Sequence, residues 1–134
     1  MTEQDVINKY LGVSFLHRGR SIIEGFDCYG LILAIYADLG YKLLDIEGEY
    51  DLHWSRGNDL ILDYHKQWVR VDRPQLFDGV LFKNKRGLAN HGGVCLGGER
   101  FIQCSQRVGV IVKKWTEEPW SRIFEGFYHF KGMQ

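Results

Sequence analysis

The stretch Gly25-Phe26-Asp27-Cys28-Tyr29-Gly30-Leu31 decides the reading of this chain. It sets a cysteine where a glycine-marked loop gives way to an apolar helix. Asp27 is suited to cap that helix, Leu31, Ile32, Ile35 and Leu39 fall at helical spacing along it, and Gly40 suits its stop. The predicted helix therefore runs from about Cys28 to Leu39, and its apolar stripe is core. Cys28 differs from the stripe because it occupies the first turn, where side chains face whatever lies beyond the helix end. Unpaired backbone N–H groups and the positive end of the helix dipole favour thiolate there, lowering a cysteine pKa from about 8.5 to between about 3.5 and 7.5. The alternative is a buried structural cysteine. Further along, Asn90-His91-Gly92-Gly93-Val94 opens a strand-like run that can supply an imidazole, so a nucleophile and a general base are both available.

On the N-terminal side, Thr2 can cap a short helix whose apolar positions Val6, Ile7, Tyr10 and Leu11 share one face, with Gly12 ending it. A loop from Ser14 to Gly25 then carries His17, Arg18, Gly19 and Arg20. Between Leu43 and Pro74 a third helix is predicted over Leu60–Trp68, capped near Asn58 or Asp59. Glu47–Arg56, with Tyr50, His53 and Trp54, has no clear period; it reads either as a surface loop or as packing of Trp54 on the core. Neither His53 nor His65 has a partner at metal-ligand spacing. From Phe77 onward the pattern changes to short β-rich runs: Val80–Lys83, His91–Cys95, Glu99–Cys104, Val108–Lys113 and Arg122–Phe130. Short links imply an antiparallel meander of about five strands with the helices gathered on one side, an α+β fold in a single domain spanning residues 1–134.

Composition excludes several classes. The 134 residues are 45% hydrophobic and 14% aromatic, which is a globular composition and not a disordered one. Seventeen basic and seventeen acidic side chains cancel, so nothing in the whole-chain charge argues for nucleic acid or an anionic membrane. No apolar run approaches the ~20 residues of a membrane span. Met1-Thr2-Glu3-Gln4-Asp5 lacks the basic and apolar regions of a signal peptide, so synthesis and retention in the cytoplasm are expected. Three cysteines fit free thiols better than a disulfide framework. A zinc site from Cys28, His91, Cys95 and Cys104 lacks any Cys-x-x-Cys spacing, and no metal or cofactor is expected. The run Lys83-Asn84-Lys85-Arg86 reads as a solvated loop, with contact to an anionic polymer as the alternative.

The hairpin after His91 carries a register argument. With a three-residue loop Leu96-Gly97-Gly98, Cys95 faces Glu99, Gly93 faces Phe101 and His91 faces Gln103. Directly opposed side chains share a face, so Gln103 can hold one imidazole nitrogen and leave the other for Cys28. A two-residue Gly97-Gly98 turn, the alternative, sets Cys104 opposite His91 and turns Gln103 away.

Gly25-Phe26-Asp27-Cys28-Tyr29-Gly30-Leu31 resembles the nucleophile motif of the NlpC-type cell-wall cysteine peptidases, usually Asp-Cys-Ser-Gly-Leu. His91-Gly92-Gly93-Val94-Cys95-Leu96-Gly97 is similar to their His-Val-Gly-Ile-Tyr-Leu-Gly strand, and Phe101-Ile102-Gln103-Cys104-Ser105 to their Phe-Ile-His-Ala-Ser motif. Weaker echoes at Gly12-Val13-Ser14-Phe15, Phe77-Asp78-Gly79-Val80 and Gly126-Phe127-Tyr128 extend the likeness over nearly the whole chain in order. A bulky residue after the cysteine and a bare catalytic domain look most like the bacteriophage tail-assembly branch. The resemblance implies a papain-like fold with Cys28 as nucleophile, His91 as base and then acid, and Gln103 orienting His91. It further implies peptidoglycan stem peptides as substrate, cleaved between D-γ-glutamyl and a diamino acid, with phage tail proteins as possible partners and action at the cell wall from a virion tail. Asp27 would hold a free substrate amine, and the Cys28 N–H would join the oxyanion hole.

The departures bear on the substrate site. Gln103 replaces a more usual histidine, Phe15 stands where a tyrosine is frequent, His17 replaces a frequent tryptophan, and Tyr29 replaces serine and could narrow a subsite. The rival reading is a structural tail component on the same scaffold with catalysis reduced or lost, in which Trp54, Trp68, Trp115 and Trp120 could mark a partner surface. The helix-end position also predicts that Cys28 reacts with iodoacetamide near pH 6.5 much faster than Cys95 or Cys104.

Overall fold

A computed structural model describes residues 1–45 and 67–133. The helix predicted over Leu60–Trp68 and the stretch Glu47–Arg56 with Tyr50, His53 and Trp54, as well as His65, lie outside these, except that Trp68 opens a strand. Helix α1 (Glu3–Tyr10) starts at Thr2 in a reciprocal capping box with Asp5 and buries Val6 and Tyr10. A two-stranded hairpin, β1 (Arg20–Ser21) and β2 (Gly25–Phe26), leads into α2 (Cys28–Asp38). Asp27 caps α2, its Oδ1 accepting from the Gly30 N–H at 2.7 Å.

The remaining strands are β3 (Trp68–Val71), β4 (Gly79–Lys83), β5 (Ala89–Cys95), β6 (Arg100–Ser105), β7 (Gly109–Lys114) and β8 (Phe124–Phe130), with a short helix α3 (Trp120–Ile123) before the last. They form one antiparallel sheet in the order β3-β8-β4-β5-β6-β7. The meander expected from Phe77 onward is present in β4 to β7. The sheet has six strands and not five, because Trp68–Val71 pairs with β8; the helical pattern expected to end at Trp68 gives way there to an edge strand.

Alternation along the strands sorts the core into two faces. Val94, Ile102, Cys104 and Val110 meet Leu31, Ile32 and Ile35 of α2 together with α1. On the other face Val80, Phe82, Cys95, Phe101 and Phe127 are covered by Trp115, Trp120 and Phe124. Helix α3 therefore lies across the sheet from α2, so the helices are not all gathered on one side. Close docking of α2 depends on Gly30, where a Cβ would lie 2.1 Å from the Gly19 carbonyl oxygen.

The hairpin register differs from both expected ones. The pairs are Val94↔Ile102 and Cys95↔Phe101, and the Leu96 N–H donates to the Arg100 carbonyl at 2.8 Å. The loop is Gly97-Gly98-Glu99, one residue later than expected, with Gly98 and Glu99 at φ +68° and +63°. Leu96 stays paired with Arg100, outside the loop, because it is buried in the core with α1 and α2. Burying a leucine contributes about 1.5–3 kcal/mol, which offsets the ~1–2 kcal/mol of placing a non-glycine residue in the left-handed region. The shift moves each pairing by two residues, so the faces are preserved and Gln103 remains on the His91 side.

Candidate active site

A cavity of about 60 Å³ opens at the N-terminus of α2, lined by Cys28, Asp27, Phe15 and His17 from the first third of the chain and by His91, Asn90, Cys104 and Gln106 from the sheet. Among the described residues β5 pairs with β6 only at Val94↔Ile102 and Cys95↔Phe101. Nearer its start β5 parts from β6, and the backbone N–H of Gly92 turns to the Cys28 sulfur, as does that of Tyr29. Cys28 thus sits against the backbone of the residue next to His91.

His91 is fixed on two sides. Its Nε2 is hydrogen bonded to Gln103 Oε1. An amide oxygen only accepts, so Nε2 carries the proton and Nδ1 is left basic. The ring stacks on Trp120, centroids 5.8 Å apart and planes at 26°. Gln103 is fully buried, and its Nε2 has no hydrogen-bond partner among the described residues. Leaving that donor unsatisfied costs about 1–3 kcal/mol, a cost carried to keep the acceptor on His91.

Burial, with the neighbouring Asp27 charge adding to it, pushes the Cys28 thiol up to about 12, while the Gly92 and Tyr29 N–H groups pull the other way. The helix-end lowering expected from sequence is thus outweighed by desolvation. Burial also holds His91 below the ordinary imidazole value, partly offset by its bond to Gln103. At neutral pH the two groups are a thiol and a neutral imidazole, so an attack by sulfur would require the proton to move. Burial likewise raises Cys104, to about 12, and Cys95. Cys28 is 7% exposed against 1% for each of the others. Cys28 is therefore expected to alkylate first, but slowly at pH 6.5, gaining about tenfold per pH unit through pH 9 as the thiolate fraction grows. Site-resolved iodoacetamide labelling across that range checks this; a rate already level by pH 7 would show a preformed thiolate.

Asp27 reaches the cavity with Oδ1 engaged twice, by the Gly30 N–H and by Arg20 Nη1 at 2.8 Å. Arg20 in turn holds Asp45 at 3.0 Å. Tyr29 is not brought to the cavity: it is 2% exposed and its hydroxyl donates to the Leu44 carbonyl. Phe15 and His17 both line the wall. Sequence reasoning missed Asn90, Cys104 and Gln106 as lining residues, although each adjoins a motif it had singled out. It missed Trp120 as the platform under His91; that contact depends on α3 crossing the far face of the sheet, for which no local pattern exists. Cys104 donates to the Phe26 carbonyl at 3.1 Å, and all three cysteines are free.

Gamma-DL-glutamyl hydrolase of Bacillus subtilis (strain 168) is 29% identical over 132 residues, covering 93% of this chain and 28% of that protein. Murein DD-endopeptidase MepH of Escherichia coli (strain K12) is 30% identical over 122 residues, covering 87% of this chain and 40% of that protein. The chain thus spans well under half the length of either relative. A crystal structure of an NLP/P60-family protein from Staphylococcus aureus superposes with a TM-score of 0.70 at 21% identity, over 96% of this chain and 40% of that one. The NlpC/P60 family profile matches residues 12–128, and with the small α+β architecture in agreement the chain belongs to the NlpC/P60 family.

Proposed function

We propose that this chain is a cysteine peptidase acting on peptidoglycan stem peptides, at the bond between D-γ-glutamyl and a diamino acid. The observation that carries it is Cys28 and His91 on one cavity, with the imidazole Nδ1 left basic by the Gln103 contact. His91 Nδ1 takes the thiol proton as sulfur attacks the amide carbon. The resulting oxyanion accepts from the Cys28 N–H, a first-turn donor of α2; one such donor contributes about 2.7–4 kcal/mol. The imidazolium then protonates the leaving amine, and water, deprotonated by His91, releases the acyl group from sulfur. The names of the two relatives, a γ-glutamyl hydrolase and a murein endopeptidase, support amide hydrolysis in the cell wall.

Asp27, on the cavity wall, is proposed to meet a free substrate amine. The test compares stem peptides with free and acetylated N-termini, using wild type and Asp27→Asn. Faster cleavage of the free peptide by the wild type, reduced in Asp27→Asn, is expected. Equal rates on both peptides would remove the amine role. Cleavage of neither, with turnover of an unrelated amide or ester, would leave only a Cys–His hydrolase. Delivery within a phage tail is the setting proposed from the bulky Tyr29 after the nucleophile. A structural tail protein with little catalysis is the second reading, favoured by the thiol raised to about 12; it requires tight binding to a tail protein without hydrolysis by the wild type.

A further inference from the structure

β4 ends at Lys83 and β5 begins at Ala89, while β6 ends at Ser105 and β7 begins at Gly109. In an antiparallel sheet ordered β4-β5-β6-β7 these two hairpins leave the same end. That end is the catalytic one: Asn90, just past the first hairpin, and Gln106, within the second, both line the cavity with Cys28 and His91. The hairpins present Lys83, Lys85, Arg86 and Arg107, all exposed. Lys83, Lys85 and Arg107 make no ion pair among the described residues.

The sign of this rim is not a chain-wide excess, since the protein carries as many acids as bases. Between Gly79 and Thr116 the sole acid is Glu99, in the hairpin at the opposite end of the sheet. The first loop is also ordered. Asn84 Oδ1 accepts from the Arg86 and Leu88 N–H groups at 2.9 and 3.1 Å, and the Asn84 N–H donates to the Leu88 carbonyl. Cations on a fixed loop lose less freedom on binding than cations on a mobile one.

We propose that this rim reads the charge of the substrate: Lys83, Lys85, Arg86 and Arg107 bind free carboxylates flanking the scissile amide. The cleft therefore selects carboxylate-bearing peptides over their carboxamide forms. The inference rests on the peptidase reading for the amide but not for the selectivity, which binding alone reports.

The experiment uses Cys28→Ala protein, which holds a peptide without turning it over. Calorimetry compares one stem peptide with free carboxylates and the same peptide fully amidated. The free form is expected to bind at least tenfold more tightly at low salt. The preference shrinks at about 0.5 M salt, because exposed charges are then screened within a few ångströms. Adding Lys83→Gln, Lys85→Gln, Arg86→Gln and Arg107→Gln is expected to abolish the preference with thermal unfolding unchanged. Arg107→Gln alone, far from the Asn84 turn, should reduce it even if the fourfold variant misfolds. Equal binding of the two peptides, binding of neither, or a preference that survives loss of the cations would overturn the proposal. If wild type cleaves nothing while Cys28→Ala still prefers carboxylate, the rim stands and the peptidase reading falls.

Discussion

If the proposed peptidase reading holds, Cys28→Ala and His91→Ala are each expected to slow stem-peptide hydrolysis by at least about 10³-fold, with the double variant no slower than either alone. The two groups act as a unit because the thiol, held up at about 12, has no useful thiolate fraction at neutral pH without a base. Gln103→Ala keeps measurable turnover, since it removes the tautomer lock and not the proton acceptor. Product formation measured by mass spectrometry on these four variants and the wild type decides it. Retention of a tenth of wild-type activity in His91→Ala would move the base elsewhere, and His17, the other imidazole on the cavity, would be its candidate. The same burial sets the pH response. His91 is held below the ordinary value of about 6.5, so the acid limb of kcat/KM lies below that pH. An unfolded chain binds a proton at His91 more readily than the folded one. Stability present above about pH 6.5 is therefore lost as pH falls toward the lowered folded value.

Gly30→Ala is the substitution expected to cost most in stability for the fewest atoms added. Alanine would gain up to about 1 kcal/mol of helix propensity over glycine. Its methyl, however, would lie 2.1 Å from the Gly19 carbonyl oxygen. That segment has little room to retreat, because a Cβ on Gly19 would itself lie 2.2 Å from the Gly25 carbonyl oxygen. Overpacking against fixed backbone costs about 1–3 kcal/mol or more, so the clash wins and the first turn of α2 shifts. A lowered urea midpoint together with weakened Cys28 function is expected. Gly87→Ala, at φ +80° in open space, serves as the control for a purely conformational penalty. Gly30→Ala as stable as the control would disprove the close crossing.

The local signals in the chain were legible wherever one short segment decides its own structure. Thr2 and Asp27 cap the two helices as their side chains dictate, and the meander strands β4 to β7 fall within two residues of their expected positions. What escaped were features settled by distant partners. β8 inserts between β3 and β4, which no local pattern encodes, and with it come the strand at Trp68 and the Trp120 platform. The hairpin loop slid by one residue because Leu96 had a core to fill. The direction of the Cys28 thiol pKa shift departs from the helix-end expectation for the same kind of reason. The helix end is local and visible in sequence, but the desolvation that overrides it comes from the sheet packed above. The family motifs were legible throughout, and they located the cavity that the structure assembles from Cys28 and His91.

The parting of β5 from β6 has a consequence for how the protein comes into being. Cys28 emerges early in synthesis on a segment whose helix cap is local, whereas the Gly92 N–H and the His91 base belong to a sheet closed only by the last strand, β8. Until α2 docks against the sheet, the sulfur has neither the Gly92 N–H nor the His91 imidazole beside it. In a nascent or half-folded chain Cys28 is therefore an ordinary thiol. On the proposed peptidase reading, completion of the tertiary fold is itself the activation step.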